Sequence, residues 1–145
     1  MSQRHLSSER LKSRRSIGLL FGPEGRSEAV YPVRVIYRVE SQGGAPAGVQ
    51  VAFVVPKKRF KSAVDRNLLK RRMREAYRLN KTILARTQEA CIREGRQCHL
   101  LFMYTGKEAM PYAQIEKKVR KLLGRLDSLL GGDAPSGAPG PDRAG

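Results

Sequence analysis

"KSAVDRNLLKRRMREAYR", residues 61–78, carries seven Lys or Arg among eighteen positions. On a helix of 3.6 residues per turn, Asn67, Lys70, Arg71, Arg74 and Arg78 recur at i, i+3, i+4, i+7 and i+11 and share one face. Leu68, Leu69, Met73, Ala76 and Tyr77 fall on the opposite side. Arg66 lies at the flank. Arg72 turns toward the apolar arc, where its stem would cover apolar surface and its head would reach outward. Ser62 stands where a helix N-cap is needed, with Asp65 three residues on. The pattern predicts a helix running to about Leu79.

The cationic face has a cost. Lys70 and Arg74, and Arg74 and Arg78, are like charges at i, i+4, each pair unfavourable by a few tenths of a kcal/mol. A merely solvated helix interleaves Glu, whereas only Asp65 and Glu75 do so here, Glu75 within reach of Arg71 or Arg78. The preceding bend, "PKKRFK", adds Lys57, Lys58, Arg59 and Lys61 beside the helix N-terminus. Free N–H groups and the positive end of the helix dipole favour phosphate there. Asn67 adds a donor and an acceptor suited to a sugar hydroxyl or a base edge. Like-charge spacing next to a basic bend points to a polyanion rather than to solvent.

The whole chain agrees. Its 145 residues hold 29 Lys and Arg against 13 Asp and Glu, so 29 − 13 gives +16. That imbalance disfavours the compact state by self-repulsion, and a nucleic-acid backbone would relieve it. The length fits one domain. The longest apolar run, 49–55, is of strand length and far short of the roughly 20 residues that span a bilayer. The polar N-terminus is no signal peptide. Both features predict a cytoplasmic protein with no membrane partner. Cys91 and Cys98 lack a second ligand pair for zinc and read as reduced structural thiols. His99 follows Cys98 in a strand-like run, so the two point to opposite faces.

Outward from the basic helix, the chain divides into a loose arm (1–12), a domain (13–130) and a disordered Gly/Pro/Ala-rich tail (131–145). Ser13 would cap a short helix with Ile17, Leu20 and Phe21 on one side and Gly22 at its end. "VYPVRVIYRV" sets Val33, Val35, Tyr37 and Val39 against Arg34, Ile36 and Arg38, the alternation of a strand with one buried face. "VQVAFVV" (49–55) is a second strand, and the Gly/Pro turn at 41–48 predicts that the two form an antiparallel hairpin. Residues 82–95 prolong the basic helix or form another, ending near Gly95. "CHLLFMY" (98–104) is a third strand, and the apolar face of 112–130 predicts a final helix. Helices on one face of a small sheet make an α+β domain, its other face left open.

"RNLLKRRMREAYR" resembles the R-N-x-x-K-R-x-x-R-E signature of the bacterial ribonuclease P protein component, matched by Arg66, Asn67, Lys70, Arg71, Arg74 and Glu75. "VVPKKRFKSAVDRN", "RLKSRRSIGLLFGPEGRS" and "PYAQIEKKVRKLL" are similar to flanking segments of that family, with Pro56 where Ser is usual and Ile17 where Phe is usual. The resemblance spans roughly residues 10–130. It implies an αβββαβα domain, of the kind also found in a ribosomal-protein domain, with a left-handed βαβ crossover and one short strand beyond those read above. It implies that Lys57, Lys58, Lys61, Arg66, Asn67, Lys70, Arg71, Arg74 and Arg78 bind the catalytic RNA. It also implies that a cleft between the first helix and the sheet, with Ile17, Phe21 and Tyr37, holds the 5′ leader of precursor tRNA. The partners would be ribonuclease P RNA in a 1:1 particle with a monomeric protein, precursor tRNA, and Mg²⁺ bound mainly by the RNA.

The residues themselves offer no protein active site. The thirteen acids are scattered, with no paired-carboxylate or E-x-x-H pattern for metal-assisted hydrolysis. "YTGKE" has Gly-Lys but not the rest of a phosphate loop. A ribosomal or other structural RNA-binding protein is the alternative. A helix-turn-helix DNA binder would need a helix, not a strand and "PKKRF", ahead of the basic helix. Residues 82–97, a segment longer than the family's usual connection, would either add an RNA contact through Lys81, Arg86, Arg93 and Arg96 or form a loosely packed surface helix.

Overall fold

The computed structural model of the chain describes residues 10, 11, 14–40 and 47–131. The elements run α1 (Arg14–Leu20), β1 (Arg26–Val30), β2 (Val33–Glu40), β3 (Gly48–Val54), α2 (Ala63–Asn80), a single 3-10 turn (Lys81–Leu84), α3 (Ala85–Glu94), β4 (Gln97–Tyr104) and α4 (Tyr112–Leu130). Cap chemistry sets several of these bounds. Ser62, extended at φ −77° and ψ 128°, accepts a hydrogen bond on its hydroxyl from Asp65 N. Gly95 ends α3 in the left-handed region at φ +69°, which suits a residue without Cβ.

The four strands form one mixed sheet in the order β1-β2-β4-β3. This corrects the hairpin expected between β2 and β3. β4 lies between them, antiparallel to β2 (Val35 opposite Phe102) and parallel to β3 (Phe53 opposite Phe102). The physical reason is burial. Residues 97–102 are buried on both faces, so this strand belongs in the interior, while β2 carries Arg34 and Arg38 on one face. The missed strand is β1, a polar edge strand paired antiparallel with β2.

Strand alternation sorts the side chains. Val33, Val35, Val49, Val51, Cys98, Leu100, Phe102 and Tyr104 face α2 and α4, meeting Leu69, Met73, Tyr77, Ile115, Val119, Leu122 and Leu126 in the main core. The other face is not bare. Leu11, Leu20 and Leu101 form a second buried cluster with Ile17, Ile36, Ala52 and Val54 around it, so α1 lies across that face. Helices therefore stand on both sides of the sheet, correcting the single covered face. Arg10 and Leu11 are docked as well. Arg10 bridges to Val51, and Leu11 N donates to Val51 O at 3.0 Å. The arm expected over 1–12 thus already touches the sheet at residue 10. The rest of that arm except these two residues, the cap at Ser13, and the tail except Gly131 lie outside the described residues.

Between α2 and β4, α3 is tied to α4 by Asp127. Its carboxylate accepts from Thr87 N (3.0 Å), Thr87 Oγ1 (2.9 Å) and Arg86 Nε (3.0 Å). Cys91 and Cys98 are both free and buried. Their shared hydrogen bond raises the Cys98 thiol and lowers that of Cys91.

Candidate nucleic-acid interface

The basic bend is fixed from both sides. Pro56 O accepts from Arg59 N (3.1 Å), turning the chain just after β3. The Phe60 ring packs edge-on against Tyr104 at 5.8 Å. Arg66 Nη1 donates to Phe60 O (2.8 Å) and Lys61 O (2.9 Å). Arg66, expected in direct RNA contact, thus spends one nitrogen on shaping the bend. Lys57, Lys58, Arg59 and Lys61 are left exposed around it.

On α2, Leu69, Met73, Ala76 and Tyr77 face the core, while Asn67, Arg71 and Arg74 are exposed and Lys70 and Arg78 half-buried. The cations therefore share the outward face, as the spacing predicts. Arg74 lies over the Phe53 ring, 5.7 Å from its centroid. Of the two partners open to Glu75, it takes Arg78, whose Nε donates at 3.0 Å. That hydrogen bond holds the Glu75 carboxyl below the usual carboxylate range. Arg71 lines a groove of about 320 Å³ between α2 and α4, with Leu68, Arg72, Glu75 and Tyr112. Arg72 does not reach outward. It donates to Met110 O, clamping the loop that precedes α4.

That loop brings in a cation the sequence reading passed over. Because β3 and β4 run parallel with Val54 opposite Met103, the loops that follow them are neighbours. Lys58 and Arg59 from one and Lys107 from the other line a cleft of about 360 Å³. Loop 105–111 is rigidly held. Tyr104 Oη donates to Glu108 O (2.6 Å) and accepts from Met110 N (3.0 Å). A Cβ at Gly106 would meet Pro32 and the Tyr104 ring at 2.9 Å, so the chain passes there only as glycine. The exposed Tyr31 accepts from Lys107 N at 3.3 Å. The only trace of this in the sequence is "TGKE", whose lysine is meaningful once β4 stands beside β3.

The three residues expected in the leader cleft separate. Phe21 follows α1 and is 59 % exposed on the sheet's second face. Ile17 is half-buried against the cluster of Leu11, Leu20 and Leu101. Tyr37 is a correction. It is 7 % exposed and belongs to the main core on the opposite face, sharing the parity of Val33 and Val35. Only its edge reaches a cavity of about 510 Å³, lined by Glu24, Arg26, Arg38, Leu129 and Leu130, at the other end of the sheet from the basic bend. Three cations of the long 81–96 segment are ion-paired. Arg86 pairs with Asp127, and Glu94 pairs with both Arg93 and Arg96.

An α+β domain with an outward cationic helix, a basic bend at its N-terminus and the Lys107 loop beside it defines a protein that binds a phosphate backbone. The family model for ribonuclease P matches residues 6–127. The ribonuclease P protein component of Porphyromonas gingivalis is 40% identical over 133 residues, covering 90% of this chain and 89% of that one. That of Chlorobaculum tepidum is 34% identical over 131 residues, covering 84% and 85%. Among solved structures, the RNase P protein from Thermotoga maritima superposes with a TM-score of 0.60 at 27% identity, over 81% of this chain and 96% of that one. The Staphylococcus aureus RNase P protein, at 18% identity and the same TM-score of 0.60, shares the fold over 84% and 97%. The chain belongs to the ribonuclease P protein component family. It is the protein subunit of the endoribonuclease that matures the 5′ end of tRNA, and its partner is ribonuclease P RNA.

Proposed function

We propose that the outward face of α2 and the basic bend dock on ribonuclease P RNA, while the α1 face of the sheet holds the single-stranded 5′ leader of precursor tRNA. The observation that carries the first half is the set of Asn67, Lys70, Arg71 and Arg74 on one helix face beside exposed Lys57, Lys58 and Lys61. Condensed counterions released from the RNA would drive this docking. The second half rests on Phe21, a large ring left in solvent on a face that also carries Arg34. An exposed aromatic on a face that carries a cation suits stacking on a strand of varied sequence. Lys58, Arg59 and Lys107 lie at the sheet end where β3 and β4 finish and would take phosphates there.

The reaction itself is assigned to the RNA and its Mg²⁺. Among the described residues no three His, Cys, Asp or Glu side chains come together, so this donor set does not fit a metal site. The chain's contribution is to hold substrate and to lower the repulsion between RNA strands that Mg²⁺ otherwise screens. No helix among the described residues is long and apolar enough to cross a membrane, and the cytoplasm, where precursor tRNA is found, is the proposed location. One protein copy per RNA is the proposed particle.

Reconstitution tests this reading. The chain is added to ribonuclease P RNA at limiting Mg²⁺, and leader removal and the affinities for precursor and mature tRNA are measured. The chain should accelerate cleavage and favour precursor over mature tRNA, and Phe21→Ala should shrink that preference by about five- to a hundredfold, the worth of one stacked base. Equal affinity for precursor and mature tRNA in the presence of the chain would remove the leader-holding role. A turnover rate indifferent to the chain would remove the whole proposal.

A further inference from the structure

The outer face of α4 has no part in the function described so far. The helix's inward face is occupied, since Ile115, Val119, Leu122, Leu123 and Leu126 are fully buried. Both flanks are occupied too. Toward α2 and α3, Glu116 accepts from Asn80 Nδ2 (3.0 Å) and Asp127 from Thr87 and Arg86. Toward β1, Arg125 Nη1 donates to Glu28 Oε1 (3.4 Å) and Ala29 O (3.3 Å). At 100° per residue, the arc between these flanks carries Ala113, Gln114, Lys117, Arg120, Lys121, Gly124 and Ser128. Lys117, Arg120 and Lys121 are exposed, and none of the three has an ion-pair partner among the described residues.

The helix has two acids, and both are turned to one flank and engaged there. Its outer arc is therefore purely cationic, with Lys117 and Lys121 at the unfavourable i, i+4 spacing. The Asn80–Glu116 hydrogen bond fixes where this arc starts, because Asn80 is the last residue of α2. Lys117, the residue after Glu116, follows this contact with the C-terminal end of α2. The stripe is about 16 Å long from Asn67 to Arg78, and the α4 set spans about 6 Å from Lys117 to Lys121. Arg86, Arg93 and Arg96, in the segment that follows α2, are ion-paired with Asp127 and Glu94, as Arg78 is with Glu75.

We propose that Lys117, Arg120 and Lys121 on the outer face of α4 form a second docking surface for ribonuclease P RNA, set off from the α2 stripe by Glu75 and Glu116. This rests on the assignment of that stripe to the RNA. An anionic membrane would also attract three cations, but the arc between them holds Ala113, Gly124 and Ser128, with no large apolar side chain to enter a bilayer. Three exposed cations without ion-pair partners among the described residues, on a chain whose family partner is ribonuclease P RNA, favour the RNA.

The test uses the full chain, its Lys117→Gln/Arg120→Gln/Lys121→Gln variant and its Arg71→Ala/Arg74→Ala variant. Binding to ribonuclease P RNA is measured across a potassium chloride series, with circular dichroism and the thermal midpoint as controls for folding. Each cation on a phosphate contributes about 0.7–0.9 to the slope of log K against log salt. The triple variant should therefore show a slope shallower by about 2 to 3 with an unchanged circular dichroism spectrum. A triple-variant line parallel to the parent's, beside a shallower line for the α2 variant, overturns the α4 surface and leaves the α2 assignment standing. Parallel lines for both variants overturn both. Loss of binding to phosphatidylglycerol vesicles with an unchanged RNA slope assigns the face to a membrane and overturns the proposal.

Discussion

Replacing Arg71 and Arg74 together by Ala probes the α2 face directly. Both side chains are exposed, and neither is ion-paired among the described residues. What they contribute to folding alone is small. Arg74 loses its place over Phe53, a cation–π contact of about 0.5–1 kcal/mol at an exposed site. Against this, the variant removes the Lys70–Arg74 and Arg74–Arg78 repulsions, a few tenths of a kcal/mol each, and adds two better helix formers. The net change stays below about 1 kcal/mol, a shift of roughly 3 °C in thermal midpoint for a domain of this size.

The effect on RNA binding should be much larger. Two phosphate contacts account for about 1.4–1.8 of the salt slope, and at about 0.15 M salt each is worth about 1 kcal/mol, so affinity should fall about twenty- to thirtyfold. Filter binding of folded ribonuclease P RNA across a salt series reads both quantities. Leader cleavage should drop at limiting Mg²⁺ and recover at high Mg²⁺, because the divalent ion replaces the lost screening. An unchanged salt slope would refute the docking argument. A cleavage defect that high Mg²⁺ fails to rescue would refute the division of labour between protein and RNA.

Three further outcomes concern the scaffold. Asp127→Ala leaves the buried Thr87 N–H and hydroxyl without an acceptor and should cost about 2–4 kcal/mol in urea denaturation, with the RNA salt slope unchanged. Gly95→Ala meets no atom within 4 Å but must hold φ +69°, so its cost is backbone strain alone, about 1 kcal/mol, and Gly95→Asn should lose less. His99 is fully buried, with Nε2 against Gln97 and with Glu40 and Arg38 nearby. Burial is the largest influence on it and holds its pKa below the usual imidazole value, Glu40 raising and Arg38 lowering it further. The unfolded chain then binds this proton more readily than the native one, so the stability is complete above the unfolded pKa of about 6.5 and is lost as pH falls below it. Urea midpoints from neutral to mildly acid pH should decline in the parent more steeply than in His99→Gln, and coincident profiles would discount the histidine.

Much of the fold was legible because its signals are local. The helix from Tyr112 to Leu130 declares itself by apolar spacing, α2 by the Ser62 cap and two-sided pattern, and the end of α3 by Gly95. Strand order was not legible in the same way, since pairing is a long-range property and the short turn at 41–48 argued for a hairpin. A stronger signal lay in composition. "CHLLFMY" has almost no polar side, and a strand of that kind belongs inside a sheet. β1 escaped because an edge strand of Arg26, Ser27, Glu28 and Ala29 owes its place to pairing with β2 rather than to any burial pattern of its own. For Tyr37, the alternation with Val33 and Val35 already placed the ring in the core, and the family resemblance pulled it toward the cleft. The sequence pattern sets Arg66 among the RNA-binding cations and turns Arg72 toward the apolar arc, but shows neither one's carbonyl partners, which the fold supplies.

The strand order also builds part of the site. Neighbouring strands lie about 4.8 Å apart, so the ends of β3 and β4 are that close and the loops after them share a cleft. In an arrangement with β2 paired to β3 and β4 on the far side of β2, β4 would stand two strands from β3, roughly 10 Å away, and Lys107 would be removed from Lys58 and Arg59. Parallel pairing matters equally, because it sends both strands out of the sheet at the same end. That end is also where α2 begins, with its cap and its free N–H groups. One topological choice thus gathers the basic bend, the Lys107 loop and the helix N-terminus at one edge of the domain. The like-charge repulsion this creates is tolerable because each segment is held by neutral contacts: Arg66 to two carbonyls, Tyr104 to Glu108 and Met110, and Arg72 to Met110. The anchoring bonds face inward and the unpaired cations face outward, an arrangement that keeps the surface shaped before any RNA arrives.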